Sequence, residues 1–103
     1  MPHAKHDVFD GETVSLSLFA RALSHPARIK ILTFLQQRGQ CPCMEIVEVI
    51  PLSQPSVSRH IAALEAANLI QSKVRGNEIL YSIKKDRIHK FCSVFSKTLK
   101  PKK

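Results

Sequence analysis

The stretch SQPSVSRHIAALEAANLI, Ser53 to Ile70, decides the fold. Ser53 is a good N-cap and Pro55 suits a helix's first turn, so a helix starts here. Val57, Ile61 and Leu64 recur at helical spacing and define one buried stripe. Asn68 is a natural stop, because asparagine tolerates the left-handed conformation that ends helices. The opposite face carries Gln54, Ser56, Ser58 and Arg59, which are short polar groups plus one guanidinium. A helix with one side in a core and the other reading base edges needs this composition. Glutamine can bond adenine bidentately, arginine can bond guanine N7 and O6, and serine bonds either.

Upstream, Met44 to Ile50 fits a short third helix stopped by Pro51. A short helix, a tight Pro51–Leu52–Ser53 turn and a longer capped helix form a helix-turn-helix, whose second helix enters the major groove. Further upstream, Leu16, Phe19, Ala20 and Leu23 mark a first amphipathic helix. A second runs from about Pro26 to Arg38 and ends at Gly39. Ile29, Ile31, Leu32, Phe34 and Leu35 make it apolar on most sides and hence central.

Downstream the period changes from 3.6 to 2. Ile70, Ser72 and Val74 alternate with Gln71, Lys73 and Arg75. After Gly76–Asn77, Ile79, Tyr81 and Ile83 alternate with Leu80, Ser82 and Lys84. Two such runs about a Gly-Asn turn predict a β-hairpin. Its polar edge offers Lys73 and Arg75 to phosphates or the minor groove, and Asn77 at the tip reaches the backbone. Ile88, Phe91, Cys92, Phe95 and Leu99 define a last helix. The expected fold is mainly α with a β-hairpin wing, a winged helix-turn-helix in the order α-α-α-α-β-β-α. One domain over residues 12–99 follows a mobile arm (1–11) and precedes a basic tail (100–103).

Charge placement supports a polyanionic partner. The 103 residues carry a net charge of +8, and residues 1–70 are balanced at six basic and six acidic side chains. Residues 71–103 hold ten basic and two acidic ones. So local a patch suits nucleic acid first and an anionic membrane second. No apolar run approaches the roughly 18–20 residues of a membrane span. MPHAKHD has no signal-peptide core, and three cysteines are an odd number, so a cytoplasmic protein without a disulfide framework is expected. No paired carboxylates, phosphate-cradling glycine loop or nucleophile–base spacing point to an enzyme. His60, at the edge of the apolar stripe, reads as a hydrogen-bonded packing residue.

Three segments resemble the arsenic-repressor (ArsR/SmtB) family of winged-helix metal and thiol sensors. ALSHPARIKIL (22–32) is similar to the family's second helix and LSQPSVSRHIAALEAANLI (52–70) to its recognition helix. VRGNEILYSI (74–83) is similar to its wing. The resemblance covers about Leu16 to Phe95. It implies a homodimer through the first and last helices, and repression by binding a palindromic operator until an inducer arrives. The recognition helices would sit about 34–36 Å apart. Carried over by position, the DNA contacts are Gln54, Pro55, Ser56, Ser58 and Arg59.

Cys41–Pro42–Cys43 lies just before or at the start of the third helix, and two thiols at i, i+2 can chelate a thiophilic ion. A helix N-terminus favours the thiolate. CPCMEI resembles the "CVCDL" of arsenic-type repressors, which implies arsenite, As(III), or a soft metal ion as inducer. The family's third cysteine, one turn on, is replaced here by Ile46 or Val47. Cys92, or His3, His6 or Asp7 of the arm, are the candidates to complete the site. The family's other metal site, D-x-H-x₁₀-H-x₂-E on the last helix, is not matched by Asp86 and His89. Redox sensing by the same thiols, a DNA-binding regulator without an inducer, and a protein-interaction module are the other readings.

Overall fold

The computed structural model describes residues 8–102. The elements run α1 (Gly11–Ala22), α2 (Pro26–Arg38), β1 (Gln40–Pro42), α3 (Cys43–Val49), α4 (Gln54–Ala66), β2 (Ile70–Arg75), β3 (Glu78–Ile83) and α5 (Lys85–Leu99). The winged helix-turn-helix is present, with one element that the sequence pattern did not disclose. Strand β1 pairs antiparallel with β3 and makes the wing a three-stranded sheet of order β1-β3-β2. Three residues between Gly39 and a helix are too few for alternation to register. Their pairing of Cys41 with Tyr81 comes from tertiary contact.

Helix ends follow local chemistry. α1 begins at Gly11, inside the segment expected to be an arm, because the Asp10 carboxylate accepts from the Thr13 backbone N–H at 2.8 Å. That bond holds the Asp10 carboxyl below its ordinary range. α2 has the expected bounds. His25 caps it by accepting from the Ala27 N–H through Nδ1 at 3.2 Å, Pro26 fills the first position, and Gly39 leaves it at φ +92°. α3 starts one residue earlier than expected, at Cys43, with Pro42 as its cap. α4 starts from Ser53, whose Oγ accepts from the Ser56 N–H at 3.3 Å. It stops as expected: Asn68 takes φ +65°, its N–H bonds Glu65 O and the Leu69 N–H bonds Leu64 O. This is the paired Schellman arrangement.

The core lies between α2, α3, α4 and the base of the sheet. Ile31, Leu35, Cys41, Ile46, Val57, Leu64, Leu69 and Ile70 are essentially inaccessible. Each large aliphatic among them contributes ~1.5–3 kcal/mol from burial. α2 is not apolar all round: Ile31 and Leu35 face in while Ile29 is 44% exposed. The helix covers the core from one side, so only one of its stripes is needed. α5 packs on α1 through the stacked rings of Phe19 and Phe91, 4.5 Å between centroids, and through a Lys97–Glu12 ion pair of 3.2 Å.

The hairpin pairs Ile70 with Ile83 through to Arg75 with Glu78. Gly76 takes φ +63° and Asn77 does not take a positive φ, the requirement of a type II′ turn. Of the apolar residues in the alternating runs, Ile79 is 49% exposed and Val74 74% exposed. The distal wing projects beyond the core, so its inner face has nothing to pack against. Leu80 is buried on the other side of the sheet. It pairs with Pro42 of β1 and shares a cleft with Arg38 and Glu45, whose ion pair is 2.8 Å. Among the described residues, no helix is long and apolar enough to cross a membrane.

Candidate nucleic-acid interface

The helix-turn-helix comprises α3, the turn through Pro51 and Leu52, and α4. Val57, Ile61 and Leu64 fix α4 by one face against the core, which leaves Gln54, Pro55, Ser58 and Arg59 exposed. Ser56 is half-buried within a small network. Ser53 Oγ donates to Ser56 Oγ at 3.1 Å, and Arg59 Nη2 donates to Ser56 Oγ at 3.3 Å. The cap therefore orders the guanidinium as well as the helix end. Pre-ordering of that kind lowers the entropy lost when a long side chain engages a ligand. Ala62 and Ala66 continue the same exposed face with small side chains. The first turn of α4 contains no acidic residue, so the positive end of the helix dipole is left open to an anion.

The wing puts Lys73, Arg75 and Asn77 in solvent beyond the body of the domain. Lys73 and Arg75 share one face of β2 opposite Leu80 and Glu78, and Asn77 lies in the turn. Base-reading candidates and cationic candidates thus come from two different elements, α4 and the wing. That division matches the two tasks of specification and positioning.

The cysteines are placed less uniformly than expected. Cys43 is the first residue of α3 and half-buried; its Sγ lies 3.9 Å from Ser58 Oγ on α4. Cys41 sits on β1, fully buried in the core, and burial pushes its thiol up from the ordinary range, with Glu45 adding to the effect. The expected helix stabilisation of its thiolate is therefore corrected: Cys41 lies on a strand, not at a helix end. Cys92 is exposed on α5, one position from the buried Phe91, which takes the inward place on that helix. His3, His6 and Asp7 lie outside the described residues. Among the described residues, no three His, Cys, Asp or Glu side chains converge as a metal-binding group. Two thiols alone do not complete a trigonal site.

Sequence reasoning understated one cluster. His60 accepts from Arg28 Nε through Nδ1 at 3.2 Å, and its ring meets that of His25 at 4.3 Å between centroids. Arg28 also donates to the carbonyl of Ala22 at 3.3 Å. The packing role assigned to His60 holds. The partner, 32 residues away, left no periodic signal.

The family described as "Bacterial regulatory protein, arsR family" matches residues 25–72. The "Arsenical resistance operon repressor" of Staphylococcus xylosus is 30% identical over 84 residues, 82% of this chain and 76% of that protein. The "HTH-type transcriptional repressor SmtB" of Mycobacterium tuberculosis is 36% identical over 63 residues, 61% of this chain. That match takes in 46% of the SmtB protein, so the chain spans about half of its length. An "ArsR-like Transcriptional Regulator from Rhodococcus sp. RHA1" superposes with a TM-score of 0.76 at 27% identity, covering 85% of this chain and 82% of the other. The fold and the site together define a winged helix-turn-helix of the regulatory class. The chain belongs to the ArsR/SmtB family, whose members are transcriptional regulators and not enzymes.

Proposed function

We propose that this chain is a homodimeric transcriptional repressor that binds a palindromic operator and leaves it when a thiophilic inducer engages Cys41 and Cys43. The observation that carries the DNA-reading part is the outward face of α4. It presents Gln54, Pro55, Ser58 and Arg59 over a rigid buried stripe, beside a wing carrying Lys73, Arg75 and Asn77. Gln54 and Arg59 specify bases, Ser56 and Ser58 add short contacts, and the wing cations neutralise phosphates.

The dimer reading is supported by large apolar side chains on α1 and α5 that stay exposed among the described residues. Leu18 on α1 and Phe95 and Leu99 on α5 are more than half exposed. Exposed large apolar side chains on two helices that pack together suit an interaction site. An isologous pair would bring two α4 helices to symmetric half-sites.

The inducer reading is supported by thiol chemistry, by contact and by a relative named for arsenical resistance. Cys43 touches Ser58, so an ion held there bears directly on the recognition helix. Engaging Cys41 as well requires β1 to open, since that thiol is buried. Cys92, His3 and His6 are the candidates for a third ligand. Oxidation of Cys43 is a second reading, favoured by its half-exposed thiol beside Ser58.

The test uses a duplex selected by the chain from a random-sequence pool. Binding is followed by anisotropy while arsenite, Cd(II) or hydrogen peroxide is added to the wild type and to the Cys41→Ser/Cys43→Ser double variant. Arsenite-driven release in the wild type alone supports the inducer site. Peroxide-driven release alone moves the reading to redox sensing, and no sequence preference in the selection refutes the repressor itself.

A further inference from the structure

The cluster formed by His25, Arg28 and His60 lies behind the recognition helix and is not explained by base or phosphate contact. It joins three elements. Arg28, in the first turn of α2, donates through Nε to His60 on α4 and through Nη1 to the Ala22 carbonyl at the end of α1. His25 caps α2 through Nδ1 and lays its ring against that of His60, tilted by 49°. One planar guanidinium thus ties the corner between α1 and α2 to the middle of α4. An arginine holds such a fork in fixed geometry, whereas a lysine presents a single point charge.

We infer that Arg28 is the positioning residue of the recognition helix, acting through the imidazole of His60, and that this link makes sequence discrimination dependent on pH. The inference rests on α4 being the DNA-reading element. His60 Nδ1 is an acceptor only while the ring is neutral, because both ring nitrogens of a histidinium are donors. Protonation sets an N–H against the Arg28 N–H. The charged groups acting on His60 are His25 and Arg28 from α2 and Arg59 from its own helix, and none is acidic. Burial first, and then these cations, hold the ring below the ordinary histidine range. A depressed value in the fold means that the link is intact above the ordinary histidine range and is lost as pH falls through the depressed value. Simple charge accumulation runs the other way, since added positive charge strengthens DNA binding at low pH.

The experiment measures affinity for the selected duplex and for a scrambled duplex in steps from pH 8 down to pH 5, at constant salt. The ratio of the two is the readout. In the wild type it falls about tenfold on acidification. His60→Asn, whose amide oxygen takes the place of Nδ1 and does not titrate, keeps the ratio level. Arg28→Met and Arg28→Lys lower it at every pH. Amide hydrogen exchange without DNA gives a second readout. Protection in α4 falls in both Arg28 variants, and in the wild type on acidification after correction for intrinsic exchange. An Arg28→Lys protein with wild-type ratio and wild-type α4 protection overturns the inference, as does a His60→Asn profile that follows the wild type. Failure to prefer any duplex with the exchange pattern intact refutes the DNA-reading role instead, and leaves the positioning role standing.

Discussion

The thiol of Cys43 lies 3.9 Å from the hydroxyl of Ser58, so the first residue of α3 touches a residue of the exposed face of the recognition helix. Cys43 is half-buried and Ser58 exposed, while Ile46 on the same helix and Val57 next to Ser58 are fully buried. Close-packed interiors yield poorly to added volume. An adduct on Cys43 sits against Ser58 and is expected to press on α4. In a Cys92→Ser background, N-ethylmaleimide is expected to lower affinity for the selected duplex at least tenfold. The Cys43→Ser/Cys92→Ser protein, given the same treatment, should bind as before. Equal affinity of the labelled and unlabelled Cys92→Ser proteins, with labelling verified by mass, contradicts this coupling.

The neighbouring thiol should behave in the opposite way. Cys41 is inaccessible and its thiol is held above the ordinary range by burial. The attacking species in thiol chemistry is the thiolate, so Cys41 is protected twice, by access and by protonation. At pH 7.5 an aromatic disulfide reagent should modify Cys43 at least tenfold faster than Cys41, as read by peptide mapping. The sign of the pH effect follows from the same shift. Stability from the buried neutral thiol is full below the ordinary thiol range and declines as pH rises through the raised value. Thermal melts should therefore show the wild type losing more stability above pH 9 than Cys41→Ala does. Fast modification of Cys41 in the folded protein opposes this account.

These contrasts show what could be read from the chain and what could not. The bounds of α2 and the start of α4 were legible because capping chemistry at Ser53 and Pro26, and stops at Gly39 and Asn68, act over a few residues. The exposed polar face of α4 was legible from the spacing of Val57, Ile61 and Leu64. Strand β1 was not, because Cys41 meets Tyr81 forty residues away and a three-residue strand has no period. The same non-locality hid the Arg28–His60 bond and put Leu80, rather than Ile79, under cover. Local signals named the elements, while contacts across the fold decided which cysteine is open.

The cap of α4 gives a stability prediction with a functional echo. Ser53 Oγ accepts from the Ser56 N–H and donates to Ser56 Oγ, which in turn receives Arg59. Ser53→Ala is expected to cost about 1 kcal/mol. For a domain of this size that lowers Tm by about 4–8 °C. Ser53→Asp, which keeps the cap acceptor, should lose little stability. If alanine at position 53 leaves Tm unchanged, the cap is not contributing.

The uncovered face of α1 and α5 predicts assembly. Leu18, Phe95 and Leu99 are 54%, 54% and 61% exposed in the single chain. The rings of Phe19 and Phe91 already satisfy the α1–α5 contact, so these three are spare. Sedimentation equilibrium should report a dimer for the wild type, and Phe95→Glu should weaken the association at least tenfold, since a buried unpaired carboxylate is costly. The variant should keep its helical content because Phe95 is not in the core. A monomeric wild type at tens of micromolar removes the argument from this face.

The division of labour between α4 and the wing makes the final prediction. Arg59 reaches out from α4 with its guanidinium braced by Ser56, whereas Lys73 stands on the wing strand β2 without such a brace. A braced guanidinium at a base edge should act on one position of the site. Arg59→Ala is therefore expected to cost ~1–3 kcal/mol and to relax preference at one base pair per half-site. Lys73→Ala should weaken all duplexes alike and reduce the salt slope by about one unit for each protomer's contact. Both effects are read from affinities measured across a panel of single-base variants of the selected duplex at several salt concentrations. Uniform weakening by Arg59→Ala across that panel would mean a phosphate contact, and would pass the reading of sequence to Gln54 and the serines.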